Sequence, residues 1–127
     1  MTKTLLVGCG GFLGSIARYL VGGAVHRLAS GPVFPYGTLV VNITGCLAIG
    51  VLGAMAEARG ILSPEARVFL LIGILGGFTT FSSFGYETIQ LLRDGEALPA
   101  LANVLLQVIL GLGAVWAGSA FVRLIWR

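Results

Sequence analysis

Hydrophobic positions along this chain fall into four long blocks separated by short polar interruptions. The blocks run roughly Leu5–Val25, Gly37–Ala56, Ala66–Thr88 and Leu98–Ile125. An α-helix needs about 20 predominantly apolar residues to cross a bilayer, so each block predicts one transmembrane helix. The fourth is longer than a span requires and predicts tilt or a frayed end. The interruptions carry stop and start chemistry. Ser30-Gly31-Pro32 and Pro35 break the chain between the first two blocks. Ser63-Pro64-Glu65 supplies an N-cap, a first-turn proline and an acidic residue at the positive helix end. Asp94-Gly95 closes the third block, Pro99 falls in the first turn of the fourth, and Trp126 beside Arg127 forms an interfacial anchor. The predicted fold is an all-α membrane protein, one four-helix transmembrane domain over residues 1–127 with no extramembrane domain. Lys3 ahead of an apolar run mimics a signal peptide, but the run continues through Arg18 toward Leu28 and reads as a retained helix.

Composition agrees with a lipid environment. Of 127 residues 57% are hydrophobic and 10% charged, against about 25% charged in soluble chains, and the mean hydropathy is +0.98. The 20 glycines sit inside the apolar runs, where they permit close helix packing. A net charge of +3 does not indicate nucleic acid, because the cations are scattered and form no basic stripe. Lys3, Arg59, Arg67, Arg123 and Arg127 lie on one side of the predicted topology, and Arg18, Arg27 and Arg93 on the other. That small bias favours both termini in the cytoplasm and is compatible with insertion in both orientations. Cys9 and Cys46 form no metal-binding or disulfide pattern and read as small buried hydrophobes. His26 has no ligand companion and reads as interfacial. With no nucleophile–base pair, phosphate loop or paired carboxylates, the chain offers no enzymatic chemistry.

Polar groups inside a span need protein partners or a wet path, which makes four features informative. In the first span, Gly10 and Gly14 form a close-approach pair, and Arg18 is a cation well inside the block. It reads either as a snorkelling end residue or as a vestibule or ion-paired group. In the second, Thr38 and Asn42 share a face at i,i+4, Thr38 as a cap or a pathway hydroxyl and Asn42 as an interhelical bond or an anion contact. In the third, Gly76-Gly77-Phe78-Thr79-Thr80 is a poor helix centre and predicts an unwound turn near mid-membrane. Carbonyls freed by such a break can coordinate a hard cation such as Na⁺. Phe81 and Phe84, at i,i+3, point into one lane beside Ser82 and Ser83, and ring edges are positive enough to meet an anion. Glu87 stands near the far end, as an interfacial charge or a partner of Arg93 or Arg18. Asn103 and Gln107 in the fourth span, again i,i+4, turn a polar face toward a partner or polar track, and Ala114 with Gly118 gives another close-approach pair.

Gly76-Gly77-Phe78-Thr79-Thr80-Phe81-Ser82-Ser83-Phe84 resembles the signature of the Fluc (CrcB) fluoride channel family. Gly10-Gly11 with Gly14, Arg18 and Tyr19, the run Gly37-Thr38-Leu39-Val40-Val41-Asn42, and Phe84-Gly85-Tyr86-Glu87-Thr88 extend the resemblance. It implies an antiparallel, dual-topology homodimer in the cell (inner) membrane, with two fluoride pores and passive fluoride export that confers fluoride resistance. It implies a central structural Na⁺ at the dimer interface, held by the carbonyls of Gly76 and Thr79. The pore phenylalanines map to Phe81 and Phe84, the pore asparagine to Asn42, the adjoining hydroxyls to Ser82 and Ser83, and the family's arginine and glutamate to Arg18 and Glu87; Thr38 joins this pathway. The chain departs from the family pattern at Ser83, commonly a threonine, and at Asn103 and Gln107, where relatives often have a tyrosine and a serine. On this reading the pore replaces fluoride's water with dense neutral donors.

Two other readings compete. A small multidrug-resistance-type exporter is also four-helical and dimeric but uses a carboxylate in the first span, where this chain has Arg18 and no Asp or Glu. A purely structural subunit would explain the glycines but not the hydroxyl- and phenylalanine-rich run at mid-membrane depth.

Overall fold

The computed structural model describes residues 1–29, 33–57 and 61–126. The predicted break at Ser30-Gly31-Pro32 and the cations Arg59 and Arg127 lie outside the described residues. Helices α1 (Thr2–Leu28) and α2 (Tyr36–Glu57) form the first two spans. The third is composite: α3 (Pro64–Arg67), a π-helical run Val68–Leu75, α4 (Gly76–Phe78) and, after a break, α5 (Phe81–Arg93). Helix α6 (Ala97–Ile125) is the fourth. The four spans are 27, 22, 30 and 29 residues long and apolar enough to cross a membrane.

The helix ends follow the local chemistry read from the sequence. Ser63 Oγ accepts the Ala66 amide at 3.1 Å, with Pro64 in the first turn behind it. At the other end Gly95 takes φ +80°, a left-handed conformation that closes α5 at Asp94-Gly95 and turns the chain into α6. Each observed helix runs one to five residues beyond the predicted block, because polar first and last turns remain helical where they reach the interface.

Lipid tails are as apolar as leucine, so these helices associate through close packing and interhelical hydrogen bonds. Glycine makes the closest contacts. A Cβ on Gly10 would lie 2.6 Å from the Phe69 carbonyl oxygen and 2.8 Å from Gly73 Cα, and one on Gly14 would strike the Ile74 carbonyl. Thus α1 lies backbone-to-backbone on the π-helical run and α4. A second seam joins α2 to α6, where a Cβ on Gly118 would lie 2.6 Å from the Leu47 carbonyl oxygen and one on Gly50 would strike Val115. Large apolar side chains such as Leu20, Ile109, Leu112 and Trp116 are exposed on the outside, as a lipid-facing surface requires. Cys46 is half-buried as expected of a small hydrophobe, whereas Cys9 is exposed on the outer face of α1.

Substituting Gly14 by alanine should destabilise the protein by about 1–3 kcal/mol, the usual cost of overpacking. Gly113→Ala, where a Cβ meets nothing within 4 Å, should be neutral or slightly stabilising. Thermal unfolding of the two variants in detergent checks the contrast.

Candidate ion pathway

The third span comes apart at Thr79 and Thr80. Thr79 has φ −78°, ψ 158° and Thr80 φ −150°, ψ 110°, both extended. This is narrower than the unwinding predicted for Gly76–Thr80, because Gly76–Phe78 keeps a helical turn. Packing overrides the low propensity of the two glycines there: a Cβ on Gly77 would lie 2.6 Å from the Gly11 carbonyl oxygen, so α1 clamps this turn in place. In an uninterrupted helix the Thr80 amide would bond the Gly76 carbonyl and the Ser83 amide the Thr79 carbonyl. Here the Thr80 amide donates to Asn42 Oδ1 at 2.8 Å and the Ser83 amide to Thr80 Oγ1 at 3.2 Å. Both carbonyls lose their intrahelical partners. Thr79 O accepts only a long contact from Arg18 Nη1, at 3.4 Å, beyond the usual ~2.7–3.2 Å range.

Asn42 also donates from Nδ2 to the Thr80 carbonyl at 3.1 Å. Its amide therefore pairs with both backbone groups of one extended residue, as a neighbouring β-strand would. The remaining Nδ2 hydrogen goes to Gln107 Oε1 at 3.1 Å. Asn42 thus makes the interhelical hydrogen bonds that were one of its two readings, and it also lines the groove of Phe81 and Phe84. Thr80, only 8% exposed, organises the break and was not among the site residues read from the sequence. Its signal was Thr80-x-x-Ser83, a hydroxyl three residues ahead of an amide it caps, hidden in a run of four hydroxyl residues.

Phe81 and Phe84 share one lane as expected, with ring centroids 5.4 Å apart in an edge-to-face arrangement. They line an open groove of about 380 Å³ together with Asn42, Thr79, Thr80 and Gln107, and no charged side chain among the described residues lines it. Phe81 is 82% exposed, so the groove is open on the side of this ring. The serines do not join the rings. Ser83 Oγ accepts from Thr80 Oγ1 at 3.0 Å, and Ser82 is exposed with its hydroxyl 3.4 Å from the same atom. A helix turns about 100° per residue, so positions 82 and 83 leave the face that carries 81 and 84. Ser83 instead lines a second groove, of about 360 Å³, with Arg18, Thr38 and Thr80. Thr80 borders both grooves and with Asn42 forms the septum between them.

Thr38 stands in the first turn of α2 and donates to Glu87 Oε1 at 2.6 Å. Glu87 is thus joined to Thr38, and it opens on its other side into a third groove, of about 270 Å³, with His26 and Asp94. Arg18 lies beside the break, well inside α1, and pairs with no carboxylate among the described residues. In α6, Asn103 is fully buried and donates from Nδ2 to Thr88 Oγ1 at 2.9 Å, while Thr88 donates to the Phe84 carbonyl at 2.7 Å. Three buried polar atoms have no hydrogen-bond partner among the described residues: Glu87 Oε2, Asn103 Oδ1 and Gln107 Nε2. All three residues lie in the half of the molecule where α5 faces α2 and α6. Asn42→Leu, which leaves the Thr80 amide and carbonyl without their clamp, should cost about 1–3 kcal/mol for a stranded buried group. Thermal unfolding and faster exchange of the Thr80 amide hydrogen are the measurements.

Comparison with known proteins agrees with this geometry. The family model described as CrcB-like protein, Camphor Resistance (CrcB), matches residues 5–119. The chain is 49% identical over 123 residues to the fluoride-specific ion channel FluC of Rhizobium meliloti, covering 97% of this chain and 98% of that one. It is 49% identical over 123 residues to the protein of the same name from Geobacter sulfurreducens, with the same coverage of each. The FluC of Chlorobaculum tepidum is 48% identical over 127 residues, 100% of this chain and 98% of that one. With four spans, a third one broken at two extended threonines and a family match over nearly its whole length, this multi-pass membrane protein belongs to the CrcB family.

Proposed function

We propose that the protein is a fluoride-selective channel that lets fluoride leave the cell passively across the inner membrane. The observation that carries this reading is the uncharged groove in which the edge-to-face pair Phe81 and Phe84 adjoins neutral amide and hydroxyl groups. Fluoride is small and strongly hydrated, so a pore must replace its water with many weak donors. A fixed cation at the narrowest point would hold the ion too firmly to release it. Ring edges and neutral N–H groups bind strongly enough for entry and weakly enough for exit. Arg18 and Glu87 stand outside the ring groove, each lining a separate groove, and Arg18 raises the local concentration of anions beside Thr80. The exporter reading finds no support, since the first span carries no carboxylate and the relatives bear channel names.

The working unit is an antiparallel homodimer with two pores, and two features support it. Phe81 is largely exposed on a single chain, leaving one wall of the groove missing. The carbonyls of Gly76 and Thr79 have lost their intrahelical donors to Asn42 and Thr80 side chains. Backbone oxygens of a broken helix suit a hard monovalent cation. Two such oxygens from one chain do not replace a cation's water shell, and a two-fold axis supplies a second pair. The residues present therefore fit a Na⁺ held between copies by Gly76 and Thr79, and the ion would contribute structure and positive potential beside the pores.

Reconstituted liposomes loaded with fluoride should empty rapidly through the protein, and chloride-loaded ones should not. Phe81→Ile and Phe84→Ile should each reduce fluoride efflux roughly fivefold, from the loss of an edge contact of about 1 kcal/mol. Undiminished efflux in both variants would remove the aromatic contribution. Replacing Na⁺ by a large organic cation throughout should lower efflux and weaken dimerisation, read by size-exclusion chromatography.

A further inference from the structure

We infer that the outward face of α6 between Leu112 and Arg123 seats one anionic phospholipid, with its phosphate on Arg123 and an acyl chain along Trp116. The seat is independent of which ion crosses the membrane. These residues border a groove of about 510 Å³, which shares no lining residue with the ring groove or with the grooves of Arg18 and Glu87. Leu112, Trp116 and Arg123 fall at i, i+4 and i+11, so they stack on one side of the helix. Gly111 and Gly118, about a third of a turn round, are buried against α2.

Depth sets the scale of the ligand. Helix α6 has 29 residues and is about 43 Å long at ~1.5 Å per residue. Centred on a hydrocarbon layer of about 30 Å, it puts Gly111 at the midplane and Arg123 about 3 Å outside the hydrocarbon edge. The strip from Leu112 to Arg123 therefore covers about 16 Å, the depth of one leaflet. Its deep part offers hydrocarbon: Leu112 is 69% and Trp116 74% exposed. The one hydroxyl there, Ser119 Oγ, is already given to the Gly50 carbonyl at 3.1 Å. At the shallow end stands one exposed cation, Arg123, and no acidic side chain among the described residues lines the groove. Glu57, which the parallel packing of Gly50 on Val115 brings to about the same level, is exposed and does not line it. An apolar trough one leaflet deep beneath a guanidinium matches both parts of a phospholipid, chain burial below and a charge-assisted bond to phosphate above. A free phosphate ion would leave the apolar part unused. A zwitterionic headgroup would bring a cation that no carboxylate in the groove receives.

Trp116 supplies the reporter. The Trp126→Phe protein keeps Trp116 as its one tryptophan and is reconstituted into phosphatidylcholine vesicles. A small, equal share of the lipid is then replaced by mid-chain-brominated phosphatidylglycerol or mid-chain-brominated phosphatidylcholine, and quenching of the tryptophan fluorescence is measured. Phosphatidylglycerol should occupy the seat about fivefold more readily than phosphatidylcholine, the worth of one cation at a membrane surface. Arg123→Gln should abolish that preference and Arg123→Lys should keep most of it. Arg67→Gln, which removes an exposed cation outside the groove, should leave the preference intact. Equal quenching by the two lipids in the parent overturns the proposal. So does a preference that survives Arg123→Gln, or one that Arg67→Gln removes as fully, since the charge of the whole surface would then be responsible. Absence of quenching by either lipid also overturns it, because protein, such as a second copy of the chain, would then cover this face.

Discussion

A side-chain amide on α2 pairs with the backbone of an extended residue in the third span, and the rest of the pathway is arranged around that contact. In hydrocarbon, a peptide group without a partner costs several kcal/mol, so a helix can be interrupted there only where another group completes its hydrogen bonds. Asn42 does this with both ends of its amide. The hydroxyl of Thr80 caps the helix that restarts behind it. Together they divert two amides away from the carbonyls of Gly76 and Thr79. The freed carbonyls and the placing of the two rings are therefore two results of one local rearrangement. Helix α5 begins immediately after the break, which puts Phe81 at its first position and Phe84 one turn on.

The polar groups of the interior fall into two kinds. Thr38 with Glu87, and Thr88 with Asn103, each tie helices together by hydroxyl contacts shorter than 3 Å. Glu87, Asn103 and Gln107 each also keep one buried atom without a partner among the described residues. Soluble cores avoid such atoms. Their grouping where α5 faces α2 and α6 is what a route for a polar solute requires, because a route that satisfied every group internally would have nothing left to offer the solute.

Much of this was legible in the sequence. Block lengths gave the four spans, Ser63-Pro64 and Asp94-Gly95 gave their ends, and Gly10 with Gly14 announced the α1 seam. The glycine- and threonine-rich run announced a break, and phenylalanines three apart gave a shared lane. Its extent was not legible, because the turn Gly76–Phe78 stays helical with Gly77 pressed on Gly11, a contact between residues far apart in the chain. Nor was the π-helical run Val68–Leu75 legible: an unbroken apolar stretch reads alike whether its turns hold 3.6 residues or more. The partners of Asn42 and Arg18 were equally hidden. Pairing across helices depends on rotation about each axis, and the apolar surroundings of both residues leave that rotation unspecified. The sequence sets both serines beside the rings, whereas helical rotation turns Ser83 to the other groove and leaves Ser82 exposed.

The glycine seam between α1 and the third span has a mechanical consequence. Main chain rests on main chain along it, with Gly10, Gly14 and Gly77 offering no side chain that could slide or rotate to absorb strain. The two helices are therefore locked as a single strut, and tilting one without the other would separate contacts that nothing else refills. Any opening or closing of the passage leaves this strut in place and falls to the side chains and to α5, which begins beyond the break and carries Phe81 and Phe84, so the frame behaves as a cast part with its moving pieces mounted on it.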